Sequence, residues 1–203
     1  MISSLTQPGS RLLILVCLLL LSACSDPESR VAEGETGEPV DSPPREAALP
    51  TIGGVERLDP ALDNLIPRES EIEILAEGFN WAEGPVWVPE GRYLLFSDVP
   101  ENRIYRWREG EGHSVWLEPS GYTGEVPRGG EPGSNGLLLD GEGRLLLCQH
   151  GDRRIARLAA PLDAPEPAFS TIADLYQGQR FNSPNDLALH SSGSIYFTDP
   201  PYG

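Results

Sequence analysis

Ser134-Asn135-Gly136-Leu137-Leu138-Leu139-Asp140-Gly141-Glu142-Gly143-Arg144-Leu145-Leu146-Leu147-Cys148-Gln149-His150 is two short apolar runs joined by a Gly-containing turn, and it occurs three times. Upstream, Glu83-Gly84-Pro85-Val86-Trp87-Val88 runs to Gly91; downstream, Asn185-Asp186-Leu187-Ala188-Leu189 runs to Gly193. In every copy a polar residue (Glu83, Asn135 or Asn185) precedes the turn glycine by eight positions. A second strand follows each glycine: Tyr93 to Phe96 ending at Asp98, Leu145 to Cys148 ending at His150, and Ile195 to Phe197 ending at Asp199. The first two copies continue into matched third strands, Arg103 to Trp107 and Arg154 to Leu158, and successive copies start 52 and 50 residues apart.

A period of about 40–50 residues with about four strands per unit is the signature of a β-propeller blade. A parallel solenoid would repeat at half that length, and a sandwich gives no reason for a polar residue to recur at one repeat position. The expected fold class is therefore all-β, a β-propeller. The propeller domain is placed at residues 71–203 and holds two full copies and the first hairpin of a third. It breaks off inside a blade, at Asp199-Pro200-Pro201-Tyr202-Gly203, so the domain reads as truncated at its C-terminus and as roughly half of a six-bladed ring.

Composition agrees with a turn-rich, strand-rich chain: 22 Gly and 20 Pro in 203 residues. The formal charge of −16 repels phosphate backbones, so nucleic acid is not an expected partner. All 15 basic residues are Arg, which excludes a Schiff-base lysine and a P-loop lysine from this chain. No dinucleotide fingerprint, His-Glu-x-x-His string or Gly-x-Ser-x-Gly elbow occurs.

Outward toward the N-terminus, Arg11 precedes the apolar run Leu12 to Leu21 and then Ser22-Ala23-Cys24, the pattern of an export signal. The run is too short to cross a bilayer as a helix. Leu21-Ser22-Ala23-Cys24 resembles a bacterial lipobox, so residues 1–23 read as a lipoprotein-type signal peptide and Cys24 as the lipidated N-terminus. Lipid chains there would anchor the protein to a membrane in the cell envelope, with Ser25 favouring the outer membrane facing the periplasm. Residues 24–70 read as an acidic, Pro-rich tether and lead-in, because 11 acidic and four basic residues between Ser25 and Ser70 leave little apolar surface to bury.

In a propeller the first strand of each blade lies nearest the central channel, so equivalent residues at its start converge on one mouth. Glu83, Asn135 and Asn185 occupy that position. One carboxylate and two amides make an oxygen-rich set suited to a hard divalent cation. Asp98, His150 and Asp199 are expected on the same face, one strand further out. There the aspartates read as turn caps, and His150 reads either as an acid, a base or a substrate donor or as a histidine tying down its own loop, Gln149 to Asp152. Cys148 reads as core, the four tryptophans as packing at blade interfaces, and His113 and His190 as exposed. The Gly- and Pro-rich stretch from Pro119 to Ser134 is a long loop leading into Asn135, a candidate lid or specificity element.

Glu83-Gly84-Pro85-Val86-Trp87 with Phe96-Ser97-Asp98, Ser134-Asn135-Gly136-Leu137, Gln149-His150-Gly151-Asp152-Arg153-Arg154, and Asn182-Ser183-Pro184-Asn185-Asp186 with Tyr196-Phe197-Thr198-Asp199-Pro200-Pro201-Tyr202-Gly203 resemble the gluconolactonase / senescence marker protein / luciferin-regenerating enzyme family, above all its bacterial gluconolactonase branch. The resemblance covers about Glu71 to Gly203. It implies a six-bladed propeller that hydrolyses a sugar lactone with one divalent cation, Ca²⁺ first and Zn²⁺, Mn²⁺ or Mg²⁺ as alternatives. By it Glu83 and Asn185 are metal ligands and Asn135 lies in the substrate pocket; His150 is added as a substrate-binding residue from its rim position in the repeat, not from the resemblance. The family's third ligand is an aspartate that also moves the proton. At the spacing of these copies it falls near position ~235, beyond the chain, so the expected catalytic residue is absent and the chain alone is expected to be inactive. A tethered, non-catalytic binding module and an esterase acting on another ester are the competing expectations.

Overall fold

The computed structural model describes residues 49–201. The export signal over 1–23, Cys24 and the tether as far as residue 48 lie outside the described residues. The remaining lead-in forms an antiparallel bridge between Thr51 and Glu73 and a short 3₁₀ turn, Pro60–Asn64, capped by the Asp59 carboxylate, which accepts the Ala61 N–H at 2.7 Å. Ile52, Leu58 and Leu65 are 60%, 86% and 80% exposed, so this segment adds little to the core.

From Ala82 onward the chain is built from antiparallel strands. The first sheet is β1 (Ala82–Val88), β2 (Tyr93–Asp98), β3 (Arg103–Arg108) and β4 (Gly112–Leu117), each hydrogen-bonded to the next in chain order. The second repeats that order with β5 (Ser134–Leu139), β6 (Leu145–Gln149), β7 (Arg154–Leu158) and β8 (Phe169–Ala173). A small hairpin, β9 (Leu175–Tyr176) and β10 (Gln179–Arg180), precedes the third unit, β11 (Leu187–Leu189) with β12 (Ile195–Phe197). Two four-stranded meanders and the opening hairpin of another are the blades the repeat predicts, and the fold is an all-β propeller arc.

Packing explains why β6 reads Leu-Leu-Leu-Cys rather than alternating. Successive side chains of a strand point to opposite faces. Leu145 and Leu147 enter a core with Val88, Tyr93, Leu95, Ile104 and Leu117 of the first sheet. Leu146 and Cys148 enter a second core with Leu187, Ile195 and Phe197 of the third unit. All four are at most 1% exposed, because the middle blade is covered on both sides.

The tryptophans divide differently from the expectation. Trp116 packs against the first core, whereas Trp81 and Trp87 are 48% and 50% exposed. Val86 and Val88 face the core shared with the second sheet, so Trp87 between them is turned to the opposite face of the first sheet, where Phe79 packs on Phe96, Tyr105 and His113 and leaves Trp87 half exposed.

Candidate functional site

Glu83 is the second residue of β1, Asn135 the second of β5, and Asn185 lies two residues before β11, where its N–H donates to the Thr198 carbonyl at 3.0 Å. Strand pairing slips immediately after the first two: between Glu83 and Val86 on β1, and between Ser134 and Leu137 on β5. Bulges of this kind bend a strand and re-aim its side chains.

The glycines after Glu83 and Asn135 are what bring neighbouring copies together; Asn185 is followed by Asp186. A Cβ on Gly84 would lie 2.2 Å from the Asn135 carbonyl oxygen, and one on Gly136 would lie 2.8 Å from the Asn185 carbonyl oxygen. The Gly136 N–H donates to that Asn185 oxygen at 2.7 Å. Only glycine allows this approach. Beneath Asn135 the Ser97 hydroxyl donates to its carbonyl at 2.9 Å and sits 2.8 Å from the Ser134 hydroxyl, both serines being fully buried. The backbones of Glu83, Asn135 and Asn185 are thereby set side by side, one per blade, although about 50 residues separate them in sequence.

Asn135 is buried; Glu83 and Asn185 are half-buried. One Glu83 oxygen accepts the Trp81 indole N–H at 2.9 Å. The set holds one carboxylate, and among the described residues no three His, Cys, Asp or Glu side chains gather. A carboxylate and amide oxygens are hard donors, so the residues present fit a hard divalent cation and not a thiolate-seeking one. A cleft of about 720 Å³ lined by Tyr93, Arg106, Arg108, Trp116, Leu162 and Asp163 opens elsewhere, beside the turn glycines Gly91 and Gly143.

Asp98 and Asp199 cap backbone, each with both oxygens. Asp98, 2% exposed, accepts the N–H groups of Asn80 and Trp81 at 3.0 Å each, and Asp199 accepts those of Asn182 and Ser183 at 2.9 and 2.8 Å. Their counterpart in the second blade is Gln149, not His150 as the repeat alignment suggested. Asp98 faces Arg103 across β2 and β3, and Gln149 faces Arg154 across β6 and β7. The cause is turn length: four residues separate the paired Val88 and Tyr93, whereas the Asp140 N–H already bonds the Arg144 carbonyl, leaving three between.

His150 therefore lies one residue past the strand, and it is no open rim residue. It is 1% exposed, and both ring nitrogens lack a hydrogen-bond partner. Its Nε2 is 3.5 Å from the Glu131 carboxylate, a residue the sequence alone did not single out, although it sits among Gly129, Gly130, Pro132 and Gly133. Burial pushes the His150 pKa below its ordinary value; Glu131 opposes that shift and Arg128 adds to it.

The segment from Pro119 to Ser134, which carries Glu131, is anchored rather than loose. Asn102 accepts the Gly121 N–H at 2.7 Å and donates to the Tyr122 carbonyl at 2.9 Å. Thr123 donates its hydroxyl to Asp152 at 2.6 Å, Arg128 donates to the Gly151 carbonyl at 2.8 Å, and the Ser134 N–H donates to Ser120 at 3.0 Å. The loop spans the first and second blades.

Comparison with known proteins matches this architecture. Residues 81–203 match the SMP-30/Gluconolactonase/LRE-like region, more than half of the chain. A gluconolactonase of Zymomonas mobilis is 43% identical over 155 residues, which are 75% of this chain and 42% of that protein. The solved structure of a gluconolactonase from Xanthomonas campestris superposes with a TM-score of 0.63 at 31% identity, over 78% of this chain and 48% of that one. The chain thus spans less than half the length of either relative. With the strand order and the family match in agreement, the chain belongs to the SMP-30/gluconolactonase/LRE-like family.

Proposed function

We propose that the whole protein is a metal-dependent hydrolase of sugar lactones, a six-bladed propeller held in the cell envelope by a lipid on Cys24. The observation that carries this reading is the contact of Gly84 and Gly136 with the next copy's polar residue, which aligns Glu83, Asn135 and Asn185. The 43% identity to a gluconolactonase supports the substrate class.

In this reading Glu83 and Asn185 hold the cation, with Ca²⁺ the first choice and Mg²⁺, Mn²⁺ or Zn²⁺ as alternatives. Bound there, the cation would polarise the lactone carbonyl and stabilise negative charge developing on its oxygen. Trp81 orients the Glu83 carboxylate through its indole N–H. Asn135, fixed by Ser97 beneath it and by Gly84 beside it, orients the substrate with its amide.

The test is acid release from D-glucono-1,5-lactone by the full-length protein with and without EDTA and added cations, after subtracting spontaneous hydrolysis. Metal-dependent turnover, lost together with cation affinity in Glu83→Gln and Asn185→Ala, is expected. A folded protein that binds the cation and turns over no lactone would favour a binding module or another ester substrate. Cation affinity unchanged in both variants would refute the ligand assignment.

A further inference from the structure

Turn residues in left-handed backbone are ordinarily glycine, as Gly143 and Gly193 are here, but Asn102 (φ +56°) takes that conformation with a side chain. Asparagine is among the residues that tolerate it. What Asn102 adds over glycine is its amide, and among the described residues every bond of that amide goes to one short stretch after β4. Its Oδ1 accepts the N–H groups of Ser120, Gly121 and Tyr122 at 3.1, 2.7 and 3.2 Å, and its Nδ2 donates to the Tyr122 carbonyl at 2.9 Å. The same turn position in the second blade is used alike. Arg153, also left-handed (φ +60°), donates its Nε to the Phe181 carbonyl on the way to Asn185.

From Ser120 the fastening continues inward. The Ser120 hydroxyl accepts the Ser134 N–H at 3.0 Å, and the Ser120 carbonyl accepts Gln149 Nε2 at 2.9 Å. Ser97 donates its single hydroxyl proton to the Asn135 carbonyl, so the Ser134 hydroxyl, 2.8 Å away, donates to Ser97. Ser97, Ser120, Ser134 and Gln149 are all 0% exposed, and none is left without a partner. A satisfied buried network adds little net stability over apolar packing; what it supplies is a single geometry. We propose that Asn102 is a positioning residue: through Ser120, Ser134 and Ser97 it fixes where the Asn135 amide meets the substrate. The inference rests on the lactonase reading above.

The experiment is a double-mutant cycle on kcat/KM for D-glucono-1,5-lactone with the full-length, metal-loaded protein: wild type, Asn102→Gly, Ser97→Ala and the double variant. Glycine keeps the left-handed turn unstrained and deletes only the amide. Each single variant is expected to lower kcat/KM by about tenfold, because small displacements of a substrate-orienting group are costly, and the double variant by little more than either. Losses that multiply in the double variant would mean that the two residues act separately, and kcat/KM unchanged in either folded single variant would mean that the network only supports the loop. Either result overturns the proposal. Should Asn102→Gly not fold, Ser120→Ala, which deletes the acceptor of the Ser134 N–H, takes its place in the same cycle. A wild type that turns over no lactone overturns the lactonase reading and this inference with it; turnover with either failure of the cycle overturns this inference alone.

Discussion

Replacing Gly84 by alanine should damage the protein in a way that replacing Gly143 does not. Both glycines have left-handed backbone, φ +56° and +75°, so alanine at either meets the conformational cost of that region, roughly 1–2 kcal/mol. At Gly143 nothing lies within 4 Å of the new Cβ, and the cost should stop there. At Gly84 the same atom meets the Asn135 carbonyl oxygen at 2.2 Å and Gly136 Cα at 2.9 Å, which are backbone atoms and cannot rotate away. The two blades must separate, adding the roughly 1–3 kcal/mol typical of overpacking. Gly136→Ala isolates the second contribution, since its φ is not left-handed and its contact with the Asn185 carbonyl is 2.8 Å. Urea unfolding of the protein expressed from Leu49 onward should therefore rank Gly84→Ala well below Gly143→Ala, by about 1–3 kcal/mol. Isothermal titration with the cation should show weakened binding in Gly84→Ala and Gly136→Ala but not in Gly143→Ala. Equal stability losses for Gly84→Ala and Gly143→Ala would refute the claim that this close approach sets the spacing of the site.

Four further outcomes can be checked. Asp98→Ala removes a buried carboxylate that accepts two part-buried N–H groups and should cost about 1–3 kcal/mol in denaturant unfolding, and Asp199→Ala less, because Asp199 is only half-buried. Burial raises the Cys148 pKa, so the thiol should resist an alkylating reagent at pH 8 in the folded protein and react once unfolded. Burial lowers the His150 pKa below 6.5, so its unfolded-state ring gains a proton first; stability should be full above pH 6.5 and fall as pH drops toward the folded pKa. The Tm difference between wild type and His150→Phe should shrink in that acidic range, and a pH-independent difference would contradict the burial. Cys24→Ser should move the full-length protein from the membrane to the soluble fraction and abolish lipid labelling.

The apolar runs and turn glycines were enough to place β1 to β3 and β5 to β7, because a blade covered on both sides writes itself as consecutive buried leucines such as Leu145 to Leu147. The trio was legible for the same reason: a polar residue at one repeat position has no packing explanation. His150 was misaligned because register counts every turn residue, and the first blade's turn is one residue longer than the second's. Glu131 was invisible, since its partner lies across a loop whose path depends on Asn102 and Asp152 rather than on any local pattern. Likewise Trp87 looks like core from its size, while its exposure depends on which face of β1 meets another blade.

The seating of Gly84 on Asn135 and of Gly136 on Asn185 also bears on the order of assembly. Each hairpin closes through contacts a few residues apart, whereas these seatings join residues about 50 apart and must wait for the next blade to form. During synthesis a blade would own its hydrogen-bonded strands before its polar residue had neighbours. The trio's geometry is thus among the last features to form and the first to be lost when blades part. A substitution at either glycine should leave the far-UV circular dichroism of a β protein intact while the proposed ligands Glu83 and Asn185 fall out of register.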